Sequence, residues 1–192
     1  MGAVRRPPRW LSLPLIAVLT GSLATGCVTY RNFPRGYVNT PPPPRSGSAV
    51  AYKVVGASVA GGVGELRQVM ENNSPFTSME RTEERPNQGY YVEVHVKGKA
   101  PAISSMVFGY ISFSLLTLTP FWSTQDGSDI FFEVYRDGER LKTFHYEVRR
   151  KGFVWLPMLP LAWVNLFTYS EKDAFRAVAN KFFEDAGPIF ER

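Results

Sequence analysis

The chain is poor in the residues that do chemistry. Its 192 residues contain one cysteine, Cys27, and two histidines, His95 and His145. A lone thiol excludes an internal disulfide and any multi-cysteine metal cluster. The histidines sit in separate strand-like segments, so no metal-ligand spacing is visible. Charge is missing as well, from two long stretches: residues 100–125 and 152–170 contain no Asp, Glu, Lys or Arg. A glycine-rich run, "GASVAGGVG" at 56–64, has no lysine beside it and so lacks the cation that a phosphate loop needs. Ser58 lies in a near-match to a nucleophile elbow whose last glycine is displaced to Gly61; a flexible strand-to-helix connection is the plainer reading. No cofactor, no metal and no catalytic residue is expected, and the chain reads as a non-enzyme.

What is present begins at the N-terminus. Arg5, Arg6 and Arg9 precede "LSLPLIAVLTGSLAT", an apolar run too short for a comfortable membrane span. A basic start, an apolar middle and small residues before a cut site make a secretory signal peptide. The run ends in Ala24-Thr25-Gly26-Cys27, which resembles the lipobox of bacterial lipoproteins. That resemblance covers residues 1–27. It implies cleavage between Gly26 and Cys27, a diacylglycerol on the Cys27 thiol and acylation, typically by palmitate, of the new amino group. It also implies a place in the bacterial cell envelope. Val28 follows the cysteine, where aspartate is the family's usual inner-membrane retention signal in enteric bacteria, so the outer membrane, facing the periplasm, is expected. Two acyl chains hold a protein stably where one does so marginally.

Cutting the signal changes the electrostatics. Of 22 Lys+Arg, three leave with residues 1–26, so 19 remain against 17 Asp+Glu and the net charge falls from +5 to +2. The basic footprint of a nucleic-acid binder is then gone.

The mature chain divides into a tether and one domain. Residues 27–47 hold Pro41 to Pro44 and read as a stiff polyproline spacer. Residues 48–192 read as a single α+β domain: a mostly antiparallel sheet of about five strands, two helices packed on one face, and two apolar loop or hairpin stretches. Strands are expected at 48–55, 76–82 and 90–99, the last with Val92, Val94 and Val96 on one face and His95 on the wetter one. A helix is expected to bury Val63, Leu66, Val69 and Met70. A second, capped by Ser170 and Asp173, buries Phe175, Val178 and Phe182 and stops at Gly187-Pro188. Its Arg176 and Lys181 are expected as solvated charges. Asp137-Gly138 signals a hairpin over 129–150. A two-residue turn sets Tyr135 opposite Arg140, Glu133 opposite Lys142, Val134 opposite Leu141, Phe132 opposite Thr143 and Ile130 opposite His145, which puts His145 on the apolar face.

The two uncharged stretches flank this hairpin, which brings them to one end of the sheet. Three readings stay open: a pair of transmembrane helices, plain core, or an exposed apolar platform. Serines and threonines dilute the first stretch, and Pro157 and Pro160 interrupt the second. The platform is the leading expectation, with Trp122, Trp155, Leu161 and Trp163 as contact residues for a membrane surface or an envelope protein. Lys97, Lys99, Arg149, Arg150 and Lys151 flank it and would suit anionic headgroups. The alternative function is a lipid-anchored hydrolase or lipid-binding protein, with an acyl cleft bearing Ser58 or His95 at its mouth.

Cys27→Ser should abolish incorporation of radiolabelled palmitate and processing by the lipoprotein route. Retained label with detergent-phase partitioning would contradict the anchor.

Overall fold

The computed structural model describes residues 27–41, 47–58, 61–115, 119–155, 157 and 167–190. Residues 1–26, expected to be a signal peptide, and Leu161 and Trp163, expected as contact residues, lie outside them. Among the described residues the strands are β1 (Cys27–Arg31), β2 (Val50–Gly56), β3 (Met79–Arg81), β4 (Tyr90–Lys99), β5 (Phe121–Arg136) and β6 (Glu139–Val154); the helices are α1 (Gly62–Asn72), α2 (Ile103–Ser114) and α3 (Glu171–Phe190).

The fold is α+β, but the expected sheet needs correcting. Six strands form one mixed sheet in the order β1-β6-β5-β4-β2-β3. β2 runs parallel to both β3 and β4, while the β4–β5, β5–β6 and β1–β6 pairs are antiparallel. The parallel pairs have a simple cause. α1 stands between β2 and the strands that follow, and a helical crossover returns the chain in the same direction. Among the described residues there are three α-helices, not two, because the first uncharged stretch supplies α2.

The extra strand comes from the segment expected to be tether. β1 starts at Cys27 itself and pairs residue by residue with β6, from Cys27–Phe153 to Arg31–Arg149. Tyr30, Phe33 and Val38 are buried in the main core. Three apolar side chains in twelve residues are enough to draw this segment onto the domain, which therefore begins at Cys27 and not at residue 48.

The core lies between one face of the sheet and the pair α1 and α3. Val92, Val94, Ile130, Phe132 and Val134 are sealed under Leu66, Met70, Phe175, Val178 and Phe182. The Phe132 and Phe182 rings stack at 4.2 Å. α1 can lie close to α3 because Gly62 has no side chain; a Cβ there would stand 2.7 Å from the Phe175 ring. Arg176, expected to be solvated, instead reaches across to Glu65, with Nε 2.8 Å from the carboxylate. Ser170 and Asp173 form the capping contacts expected of them. α3 does not stop at Gly187: it runs through Pro188 to Phe190, whose ring packs on Phe76 and Tyr90. Burial of that aromatic outweighs one missing backbone hydrogen bond in the final turn.

The hairpin has the expected turn, with Asp137 and Gly138 at positive φ (50° and 83°), but not the expected register. Tyr135 faces Arg140, and then Val134 faces Lys142, so Leu141 is an extra residue bulged out of the ladder and exposed. A one-residue slip exchanges the faces of everything beyond it. Phe144 and Tyr146, not Thr143 and His145, therefore oppose Phe132 and Ile130 on the core side. His145 lies on the outer face, stacked on Phe131 at 4.5 Å.

Gly127 tests the packing of the hairpin. It has φ of 148°, and a Cβ would stand 2.1 Å from the Val148 carbonyl oxygen, whereas Gly64 in α1 has open space around it. Gly127→Ala should lower stability by about 2 kcal/mol or more. Gly64→Ala should raise it by roughly 0.5–1 kcal/mol. Urea midpoints that move together would contradict this placement.

Candidate functional site: an apolar end of the sheet

α2 is built inside out. Its sequence, "ISSMVFGYISFS", interleaves small and large residues. Ser105, Gly109 and Ser112, spaced four and three apart, fall on one helical face, and that face is the buried one. It rests against Phe121 at the start of β5. Gly109 makes the close approach possible, since a Cβ there would be 3.0 Å from the Phe121 ring. Ser112 Oγ donates to the Thr119 carbonyl at 2.6 Å, tying the helix to its exit loop. The large side chains are left outside: Ile103 is 80% exposed, Tyr110 78% and Phe113 61%. Plain core is thus the wrong description of α2. No helix among the described residues is long and apolar enough to cross a membrane.

The neighbouring strand ends extend this surface. Trp122 is half exposed and stacks on Phe108, with centroids 6.1 Å apart and planes 17° off parallel. Trp155 follows the last residue of β6 and is partly exposed. Pairing across the sheet sets Trp122 opposite Phe153, and Phe153 opposite Cys27. The expected lipid attachment point, the β5–β6 ends and α2 therefore share one end of the molecule.

The basic flank differs from its sequence reading. Arg149 bridges Asp129 at 3.3 Å and Glu147 at 2.6 Å. Arg150 is bound to buried Asp126, which keeps its guanidinium firmly protonated. Lys97 sits over the Phe131 ring at 5.2 Å. Three of the five cations are thus engaged by the protein's own groups, leaving Lys99 and Lys151 exposed. Arg149 also supplies a fixed cation to the group Asp129, His145 and Glu147, whose ligand atoms lie within 4.8 Å of one another.

A cleft of about 190 Å³ lies next to the apolar end, lined by Tyr30, Ser58, Lys99, Asp126, Arg150 and Glu171 among others. Burial, assisted by the nearby Glu171 carboxylate, pushes the Tyr30 phenol up to about 12. Ser58 is not poised as a nucleophile. Its Oγ accepts the Val63 amide at 2.8 Å, and Glu171 accepts the Gly62 amide at 3.1 Å, so both serve the first turn of α1. His95 does not line this cleft. It lies on the opposite side of β4, with Nε2 3.4 Å from Glu93.

No protein-family model matches the chain, and no curated protein matches it. Solved structures do resemble it in outline. The PelC dodecamer from Paraburkholderia phytofirmans is 8% identical, covering 87% of this chain and 99% of its own, with a TM-score of 0.38. Uncharacterized lipoprotein B from Nitrosomonas europaea is 7% identical, covering 79% and 89%, at 0.43. The rare lipoprotein B from Shewanella oneidensis is 10% identical, covering 75% and 96%, at 0.35. Identities and scores this low say nothing of function.

The sequence reading placed Trp122 and Trp155 at this end, but it offered a helix in the first stretch only as a membrane span. The available signal was the three-and-four spacing of Ser105, Gly109 and Ser112 within an otherwise large apolar run.

Proposed function

We propose that the chain is a lipid-anchored, non-enzymatic lipoprotein of the bacterial cell envelope, held in the outer membrane facing the periplasm. It works by contact: its apolar end binds a membrane surface or a protein partner. The observation that supports this best is the inverted α2, whose small residues take the protein side and whose large apolar residues take the outside. A soluble domain has no use for such a helix unless something covers it.

Magnitudes favour a real but modest contribution. A fully buried large apolar side chain is worth roughly 1.5–3 kcal/mol. Ile103, Val107, Phe108, Tyr110 and Phe113 are each at least half exposed. Covering them is worth on the order of 5 kcal/mol before the costs of association. Once those costs are taken, the surface binds more weakly than a single acyl chain, whose net association constant is ~10⁴ M⁻¹. The surface alone holds weakly, and joined to a lipid anchor it holds well.

A hydrolase with an acyl cleft has less support. The cleft that contains Ser58 is small and carries Asp126, Arg150 and Glu171, and no histidine lines it.

Replacing Tyr110 and Phe113 together with serine, in a chain lacking residues 1–26 and carrying Cys27→Ser, separates surface from core. The melting midpoint should stay within the equivalent of about 0.5 kcal/mol. Cosedimentation with envelope membranes should fall about tenfold or more. A midpoint several degrees lower would return α2 to the core.

A further inference from the structure

The pairing of β1 with β6 leaves no slack between the anchor and the apolar end. Cys27 is a strand residue opposite Phe153, which is opposite Trp122. Neighbouring strands stand about 4.8 Å apart, so the Cys27 and Trp122 backbones are ~10 Å apart. Trp122 in turn stacks on Phe108 of α2. Lipids on Cys27 would hold this sheet end at headgroup depth, and α2 is fixed to that same end.

We propose that α2 lies in the plane of the leaflet that holds the Cys27 lipids, with its large side chains at the boundary between headgroups and acyl chains. The inference rests on the lipid-anchored reading above and names the partner of that surface. Length agrees: twelve residues make a helix of about 18 Å, against a hydrocarbon core of about 30 Å, so α2 can lie in a leaflet but cannot span it. Tethering agrees too. A weak second contact becomes intramolecular once the first is covalent, and a rigid link of ~10 Å gives a high effective concentration. A leaflet is the one partner that the anchor delivers to α2 without diffusion. The mode is apolar rather than electrostatic. Residues 100–125 are uncharged, and Arg149 and Arg150 are already paired with acids of the same chain. Of the flanking cations Lys99 and Lys151 stay exposed, but the apolar side chains outnumber them, so insertion should proceed without anionic lipid or low salt.

The test uses the acylated full-length product, purified in detergent and reconstituted into phosphatidylcholine vesicles. Cys27 is the sole cysteine of the native chain, and on the lipid-anchored reading its thiol is closed as a thioether. A cysteine introduced as Tyr110→Cys is then the single reactive thiol and takes an environment-sensitive fluorophore. Leu141→Cys, exposed at the hairpin tip and ~40 Å along the strands, is the control. At position 110 the dye should be quenched by nitroxides on lipid acyl chains and should lose its quenching by aqueous iodide. At position 141 the reverse should hold. Adding phosphatidylglycerol or salt should change neither. Iodide access at 110 equal to that at 141 would overturn the proposal. So would protection that appears only when envelope proteins are added, which would assign α2 to a protein partner. Intact mass and maleimide reactivity of the native chain report separately on the anchor. An unmodified, reactive Cys27 would remove the lipid-anchored reading itself, and with it the proposal.

Discussion

The contact between α2 and Phe121 is the one on which the functional account depends. A helix rich in Ile, Val, Phe and Tyr would normally bury those residues and leave its serines in water. Here Gly109 and the two flanking serines let the backbone settle against an aromatic ring, and the large side chains have nowhere to go but outward. A side chain at Gly109 would crowd the Phe121 ring. The arrangement gives up burial that folding could have used, and that loss is recovered only when another apolar phase covers the surface.

The position of Cys27 gives this surface a direction. A flexible tether would have let α2 face in any direction relative to Cys27. β1 removes that freedom by making Cys27, the expected attachment point, part of the sheet. The same strand joins Tyr30 to the core, beside the Asp126–Arg150 pair that closes this end of the sheet. The polar cleft and the apolar helix are thus neighbours with different tasks: the first holds the strand ends together, and the second is what the outside meets.

Much of this was legible in the sequence, for identifiable reasons. The valines of β4, the Leu66 stripe of α1 and the Ser170 cap of α3 obey local periodicity and capping, which need no knowledge of the rest of the chain. The Asp137-Gly138 turn was equally plain. What failed was non-local. The bulge at Leu141 leaves no local mark, yet it moves His145 from the apolar face to the outer one. The parallel pairing of β2 with β4 depends on how α1 packs. β1 was hidden because Pro41 to Pro44 coloured the reading of the whole segment, although Tyr30, Phe33 and Val38 stood in it. The apolar end was half legible: absence of charge marked residues 100–125 as unusual, but only the packing against Phe121 shows which face of that stretch turns outward. Of the contact residues named from sequence, Trp122 and Trp155 lie at this end, while Leu161 and Trp163 fall outside the described residues.

Solvent exposure of α2 in the free protein tests the central claim most directly. Hydroxyl-radical footprinting of the Cys27→Ser chain, kept dilute enough to be monomeric, reads it side chain by side chain. The account predicts heavy oxidation of Met106, Tyr110 and Phe113 and almost none of Phe132, Phe175 and Phe182, which are sealed in the core. Protection of Met106, Tyr110 and Phe113 to the level of those three phenylalanines would mean that α2 turns its large residues inward, and the account would be wrong.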